Sequence, residues 1–379
     1  MILYYICVKF ANVTTMNPFT TYYQPEYFCD REEEILQLTN NLFNGLNTLV
    51  HSPRRLGKSA MIKHLFFKLE EAKEFETIYV DLFATNNTQD LIRSLTESIL
   101  EKYHSKNIFS GIKKLLKGIT VSLSLSEAGT PSLSISLTEG QMNSSLGQLF
   151  AYLEKRNKKV VVAFDEFQEV ANYPEKAEAL LRTQIQKLSN VRFIYSGSSN
   201  HILQNMFYSA KRPFYQSSEV LVLDKIKRDE YFEFIESGFK EFHKTIEAEA
   251  INHILDFTDG YTYYTQAICN QAFFMVENSF SYEDSIELTT SYIENRKVDY
   301  MGLYSLLAEN HKKIAVAVAK EGVVLKPTAI EFLMKHKLPS ASSTLQAVNA
   351  LTTKEILYKD IEGYRVYDVF FKRFLERYF

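Results

Sequence analysis

At 379 residues, 46% of them hydrophobic, the chain is long enough for two or three domains with cores of their own, which excludes a disordered or fibrous protein. A formal charge of −3, from 43 basic and 46 acidic residues, makes no global electrostatic case for nucleic acid or membrane, so any such site must be local. Three cysteines far apart (Cys7, Cys29, Cys269) and eight histidines without ligand spacing exclude a disulfide framework and a recognisable zinc site, and fit a reducing cytoplasm.

No apolar run reaches the roughly 18 residues of a membrane span. The best candidate, residues 2–8, stops at Lys9 and has neither a basic leader nor a small-residue cleavage site. With Met16 as an alternative start, residues 1–16 are set aside as an N-terminal extension. Residues 17–34 then carry two prolines and five aromatics before an acidic turn, Glu32 to Glu34, opens a helix with apolar positions Ile35, Leu38 and Leu42. Two roles are open for these aromatics: packing under that helix, or, for Tyr27 or Phe28, lying against an adenine.

A short apolar run, Thr48 to Val50, stops at Ser52-Pro53, and helical spacing begins just after Gly57 (Ser59, Met61, Ile62, Leu65, Phe66, Leu69). Strand, loop and helix are the context in which Gly57-Lys58-Ser59 reads as the end of a phosphate-binding loop. In such a loop backbone N–H groups and a helix N-terminus cradle phosphates, a lysine reaches the β- and γ-phosphates, and a hydroxyl serves magnesium. The loop residues are Ser52, Pro53, Arg54, Arg55, Leu56, Gly57, Lys58, Ser59 and Ala60. Ser52 stands where the pattern asks for glycine.

A second strand (Thr77 to Asp81) and a helix (Thr88 to Tyr103) follow, and this alternation predicts a parallel, doubly wound α/β sheet. Residues 119–137 alternate strictly around a Gly/Pro turn, which predicts an inserted β-hairpin. Lys158 to Gln168 is a continuous apolar strand of the kind buried on both faces, ending in Asp165-Glu166. Two adjacent carboxylates there must emerge at the C-terminal sheet edge, where ligands bind in open α/β sheets. That is the expected place for an aspartate that orients magnesium and a glutamate that polarises the attacking water.

After a helix (Ala177 to Leu188), the strand Val191 to Ser196 ends in Gly197-Ser198-Ser199, where Ser196 or Ser198 is expected to sense the γ-phosphate or the water. A fifth strand, Glu219 to Leu223, completes the sheet. From Lys225 to about Tyr300 strand signals vanish and helical spacing recurs, which predicts a helical lid. From His311 onward three helices, a hairpin around Glu362-Gly363 and a last helix (Val369 to Tyr378) predict a winged helix. Residues 311–379 hold twelve basic against seven acidic side chains, a surplus of five. The expected domains are a core over 17–224, a lid over 225–304 and a winged helix over 305–379.

Together, Ser52-Pro-Arg-Arg-Leu-Gly-Lys-Ser59, Phe164-Asp-Glu-Phe-Gln168, Tyr195-Ser-Gly-Ser198, the lid and the winged helix resemble the archaeal-type ATPase family, of the AAA+/STAND branch of P-loop NTPases. The resemblance covers about residues 17–379. It implies binding and hydrolysis of ATP (with ADP as product) and a Mg²⁺ cofactor. Lys58 would serve the phosphates, Ser59 and Asp165 the metal, Glu166 the water, and Ser198 or Ser196 would be sensor; Cys29-Asp-Arg-Glu matches a box near the base. Gln216-Ser217 replaces a Gly-Arg pair of relatives, and Thr262 a sensor proline. Without a transition-state arginine of its own the enzyme would be slow, or would be completed by a neighbour through self-association, with Arg182 and Arg212 as candidates. Two uses compete: a nucleotide-controlled switch acting on a partner protein or DNA, which is favoured, and a ring- or filament-forming motor or loader on nucleic acid. The helix before the wing offers only Gln346 and Asn349 to base edges, so at most weak, salt-sensitive DNA binding is expected, or else docking on the lid or a protein partner.

Overall fold

The computed structural model describes residues 17–103, 120–125, 131–136, 139–198, 200–360 and 362–379. The N-terminal extension, the turn of the expected hairpin and Ser199 lie outside the described residues. Two compact units are present: Tyr22–Lys225, and residues 17–21 with Ile226–Phe379.

The first unit is built on five parallel strands: β1 Thr48–His51, β2 Phe75–Asp81, β5 Lys159–Asp165, β6 Val191–Gly197 and β7 Glu219–Val222, in the order β2-β5-β6-β1-β7. Strands β3 (Thr120–Leu125) and β4 (Pro131–Ser136) form the expected hairpin, with Thr120 opposite Ser136. The helices are α1 Glu32–Phe43, α2 Lys58–Glu71, α3 Thr88–Lys102, α4 Glu139–Glu154, α5 Ala177–Ile185 and α6 Asn200–Tyr208. Val160 to Phe164 of β5 are all fully buried, which explains the unbroken apolar run: helices cover both faces of the sheet. Phe164, Phe193 and Tyr195 stack nearly parallel across β5 and β6. The sequence carried β5 on to Gln168, but the strand stops at Asp165. Glu166 takes a left-handed conformation (φ 53°) and Phe167–Asn172 winds into a 3₁₀ helix, which turns the chain away at the sheet edge.

The second unit begins with Asn17 to Phe19. Asn17 Nδ2 donates to Asn270 O across 3.0 Å, and the buried Phe19 ring packs among Phe234, Phe239 and Phe273. Gly238 lies beneath it, where an added Cβ would come within 2.7 Å of the Phe19 ring. Helices α7 Arg228–Glu241, α8 Ala248–Phe257, α9 Thr262–Met275, α10 Tyr282–Glu294 and α11 Lys297–Ser305 follow the expected helical pattern. Contrary to the strand-free expectation, Thr245–Ile246 (β8) and Ser279–Phe280 (β9) pair in parallel; two residues are too few to register as periodicity.

The winged helix comprises α12 Glu309–Glu321, α13 Ile330–Lys335, α14 Ala341–Thr353, the wing strands β10 Leu357–Lys359 and β11 Tyr364–Val366, and α15 Val369–Tyr378. A bridge from Val324 to Tyr364 brings a third chain segment alongside the wing. Within this unit Phe370 of α15 lies 4.6 Å, ring to ring, from both Tyr264 and Tyr292, and Asp259 accepts from Lys372 at 2.7 Å and Arg373 at 2.9 Å.

Candidate nucleotide site

The loop after β1 is shaped by two left-handed residues, Arg55 (φ 72°) and Gly57 (φ 89°), and Gly57 caps α2. A glycine is needed at the second because a Cβ is strained there. Lys58, Ser59 and Ala60 then open the helix, so their backbone N–H groups are among the donors a helix N-terminus leaves for an anion.

Lys58 is 6% exposed and its Nζ turns back into the loop, donating to Ser52 O at 3.1 Å, Ser52 Oγ at 3.2 Å and Pro53 O at 3.1 Å. Ser52, the residue that departs from glycine, is buried and supplies two of these three oxygens, while its hydroxyl donates to Pro53 O at 2.9 Å. Burial pushes the Lys58 ammonium down to about 8, against the opposing pull of Glu166 and Asp165.

At the end of β5, Asp165 Oδ2 accepts from Ser59 Oγ at 2.5 Å and also from the Tyr79 hydroxyl, while Oδ1 accepts the Glu166 amide at 3.0 Å. Burial, and then the facing Asp165 carboxylate, push the Tyr79 phenol far up, so it acts as donor. Ser59 and Asp165 thus bring a hydroxyl and a carboxylate together, the hard-oxygen donors that magnesium takes alongside phosphate and water. Among the described residues no cluster of three or more His, Cys, Asp or Glu could hold a metal by itself.

Glu166 Oε2 accepts from Ser198 Oγ at 3.1 Å and from the Gln168 amide, and Ser198 Oγ in turn accepts from Arg54 Nε at 3.0 Å. Of the two serines left open by the sequence, Ser198 meets the glutamate. Ser196 is fully buried in β6, opposite Val50 of β1, and among the described residues its hydroxyl has no hydrogen-bond partner. Gly197 lies between them because Gln168 approaches it closely: an added Cβ would stand 2.1 Å from Gln168 Oε1.

Tyr27 closes a 3₁₀ turn, Pro25–Tyr27, and Phe28 stacks on His64 of α2 with centroids 4.1 Å apart and planes 10° apart. Tyr23 OH lies 3.1 Å from His64 Nδ1, and burial lowers the imidazole's pKa. Arg31 is buried and donates to Leu56 O at 3.3 Å and Asp224 O at 2.7 Å, tying the Cys29-Asp-Arg-Glu box to the loop and to the end of β7. Arg182 lies on α5, and Arg212 pairs with Glu178 of the same helix at 2.5 Å. Sequence reasoning missed Tyr79, Gln168, His64 and the tether made by Arg31. Tyr79 alone had a signal, as a polar ring two residues before Asp81 on a strand otherwise apolar at that depth.

Among the described residues no helix is long and apolar enough to cross a membrane. Residues 298–377 match a probable winged helix domain. Among curated proteins none matches the chain. Among solved structures, the Walker-type ATPase PABY2304 of Pyrococcus abyssi superposes with a TM-score of 0.63 at 19% identity, over 94% of this chain and 99% of that one. The ORC2 protein of Aeropyrum pernix, in ADPNP–ADP complexes, gives 0.61 at 16% identity over 96% of each chain. The ORC1 protein of the same organism, in complex with DNA, gives 0.50 at 12% identity over 93% of this chain and 95% of that one. These likenesses establish the fold, and residues 28–267 match the model of an ATPase domain found predominantly in Archaea; with the loop, the β5 carboxylates and the parallel sheet in place, the chain belongs to that ATPase family.

Proposed function

We propose that the chain binds ATP with Mg²⁺, hydrolyses it slowly, and uses its nucleotide state as a switch on a partner protein or DNA. The observation that carries this reading is the convergence of Ser59, Asp165 and Glu166 beside a buried Lys58, with Glu166 held by Ser198. ATP phosphates would draw Lys58 away from the Ser52 and Pro53 oxygens, and the N–H groups from Gly57 to Ala60 would line the anion. Ser59 and Asp165 would hold the magnesium, which supplies charge neutralisation for the phosphates. Glu166 would accept a hydrogen bond from the attacking water and align it with the γ-phosphorus. The relatives in fold include one whose complexes contain ADPNP and ADP, which supports a nucleotide here.

The switch is favoured over a ring- or filament-forming motor by Arg212. Its partner Glu178 is buried, and offering Arg212 to a neighbouring molecule would strand that carboxylate. Arg182 remains the candidate for self-association. DNA contact is expected to be weak, although one relative in fold holds DNA. Asp259 and Glu294, outside residues 311–379, pair with Lys372, Arg373 and Arg377 and so offset two of the five surplus positive charges, while Arg365 of the wing is held by Asp360 and Glu362.

The test is equilibrium binding of ATP and ADP to the purified chain, after analysis of any nucleotide it carries from expression, beside Lys58→Ala. Binding by wild type and its loss in the variant support the reading; equal binding, or none by wild type, contradicts it. Turnover per molecule that stays low and constant as protein concentration rises supports the switch, and a steep rise supports the motor.

A further inference from the structure

Asp165 is gripped from two neighbouring elements besides its own backbone. Ser59 reaches it from α2 and Tyr79 from β2, and both hydroxyls meet the same oxygen, Oδ2. Tyr79 lies opposite Ala163 in the β2–β5 register, two residues before the Asp81–Asp165 pair, so its side chain shares a sheet face with Asp81. Its ring is held by the Lys63 ammonium, 5.0 Å from the centroid, and its carbonyl accepts Ser98 Oγ at 2.8 Å. The phenol is therefore a fixed donor.

We propose that Tyr79 is a positioning residue of the nucleotide site, which holds the Asp165 carboxylate in the orientation that serves magnesium beside the Ser59 hydroxyl. This rests on the reading of Ser59 and Asp165 as the metal-serving pair. The physical reason is the number of restraints on the carboxylate. The Ser59 hydroxyl has one proton and two lone pairs, so it can donate to Asp165 while its lone pairs face a cation, and Tyr79 supplies the second donor that fixes Oδ2. Without the phenol the carboxylate keeps only Ser59 and the Glu166 amide, its rotation about the Cβ–Cγ bond is less restrained, and ordering it costs more of the metal's binding free energy.

The test uses the full chain, a fluorescent ATP analogue, and affinity measured in EDTA and across a series of Mg²⁺ concentrations, with thermal unfolding recorded for each protein. Tyr79→Phe is expected to bind the analogue in EDTA as wild type does, and to need roughly tenfold more Mg²⁺ for half of the metal-dependent tightening, the lower end of what supporting hydrogen bonds confer on metal affinity. An unchanged or lowered Mg²⁺ requirement overturns the proposal, as does an equal loss of affinity in EDTA, which marks a merely structural role. Should Y79F fail to fold, Lys63→Met leaves the hydroxyl in place and loosens the ring: a raised Mg²⁺ requirement supports the proposal and a wild-type one overturns it. If wild type itself binds no nucleotide, the reading of the site falls, an outcome distinct from nucleotide binding with unaltered metal dependence.

Discussion

Ser198 Oγ donates to Glu166 Oε2 across 3.1 Å, and so joins the residue that would polarise water to the phosphate-binding loop, whose Arg54 Nε donates to the same hydroxyl at 3.0 Å. The Glu166 carboxylate is thereby aimed by the neighbouring strand as well as by its own left-handed backbone. Ser198→Ala removes this link and one acceptor of Arg54, and leaves the hydrogen bonds of Lys58 and Ser59 in place. We expect turnover to fall roughly ten- to a hundredfold, the scale of a catalytic group misplaced by about 1 Å. Nucleotide affinity should stay within about threefold, since Ser198 is assigned no binding contact. Steady-state hydrolysis beside equilibrium binding checks both.

Lys58 gives the site a pH dependence. With its ammonium turned into its own loop its pKa lies at about 8, and a bound phosphate raises it by supplying an opposite charge. Above about pH 8 the lysine must therefore take up a proton on binding, whereas below that pH it is already charged. ATP affinity should be level below pH 8 and fall, by at most about tenfold per pH unit, as pH rises through it. Lys58→Arg should shift this inflection out of the range, and calorimetric binding at pH 7 to 9.5 is the measurement.

Asp259, left-handed at the turn between α8 and α9, accepts from both Lys372 and Arg373 of the last helix. Arg373 also donates to Phe257 O at 2.8 Å, so the turn and the winged helix fold as neighbours. Asp259→Ala leaves two partly buried cations without their shared carboxylate. A loss of about 1–3 kcal/mol in urea unfolding is expected, the range for hydrogen bonds to charged groups.

Arg212→Ala separates a structural arginine from a catalytic one. Glu178 is buried, and burial raises its pKa while Arg212 opposes the rise. Without Arg212 the folded-state pKa climbs further above the unfolded value, so the variant loses stability where the carboxylate is ionised and recovers it as pH falls. Urea unfolding should show a destabilisation of about 1–3 kcal/mol at pH 8 and less at pH 5. A pH-independent effect would contradict the pairing.

Much of this arrangement was legible in the sequence because β5 is buried on both faces and β1 leads straight into the loop, so apolar continuity and the Gly57-Lys58-Ser59 spacing survive as linear signals. What was not legible depends on strand order. The contact of Arg54 with Ser198 spans 144 residues and that of Tyr79 with Asp165 spans 86, and neither follows from any local pattern. Helix α4 was missed because Gly147 and paired Ser144-Ser145 dilute its apolar face, although Leu146, Leu149 and Leu153 are buried along it. The 3₁₀ turn after Glu166 was read as strand because Phe167 and Val170 are as buried as the strand itself.

The central claim is that the Asp165-Glu166 edge hydrolyses ATP held by the Lys58 loop, and Glu166→Gln tests it most directly. The amide keeps the size of the side chain but cannot accept a proton from water as the carboxylate does. Measured side by side with wild type at saturating Mg·ATP, the variant should bind ATP within about threefold and turn it over at least a hundredfold more slowly, the lower bound for losing a general base. A variant that hydrolyses ATP at the wild-type rate would contradict the account.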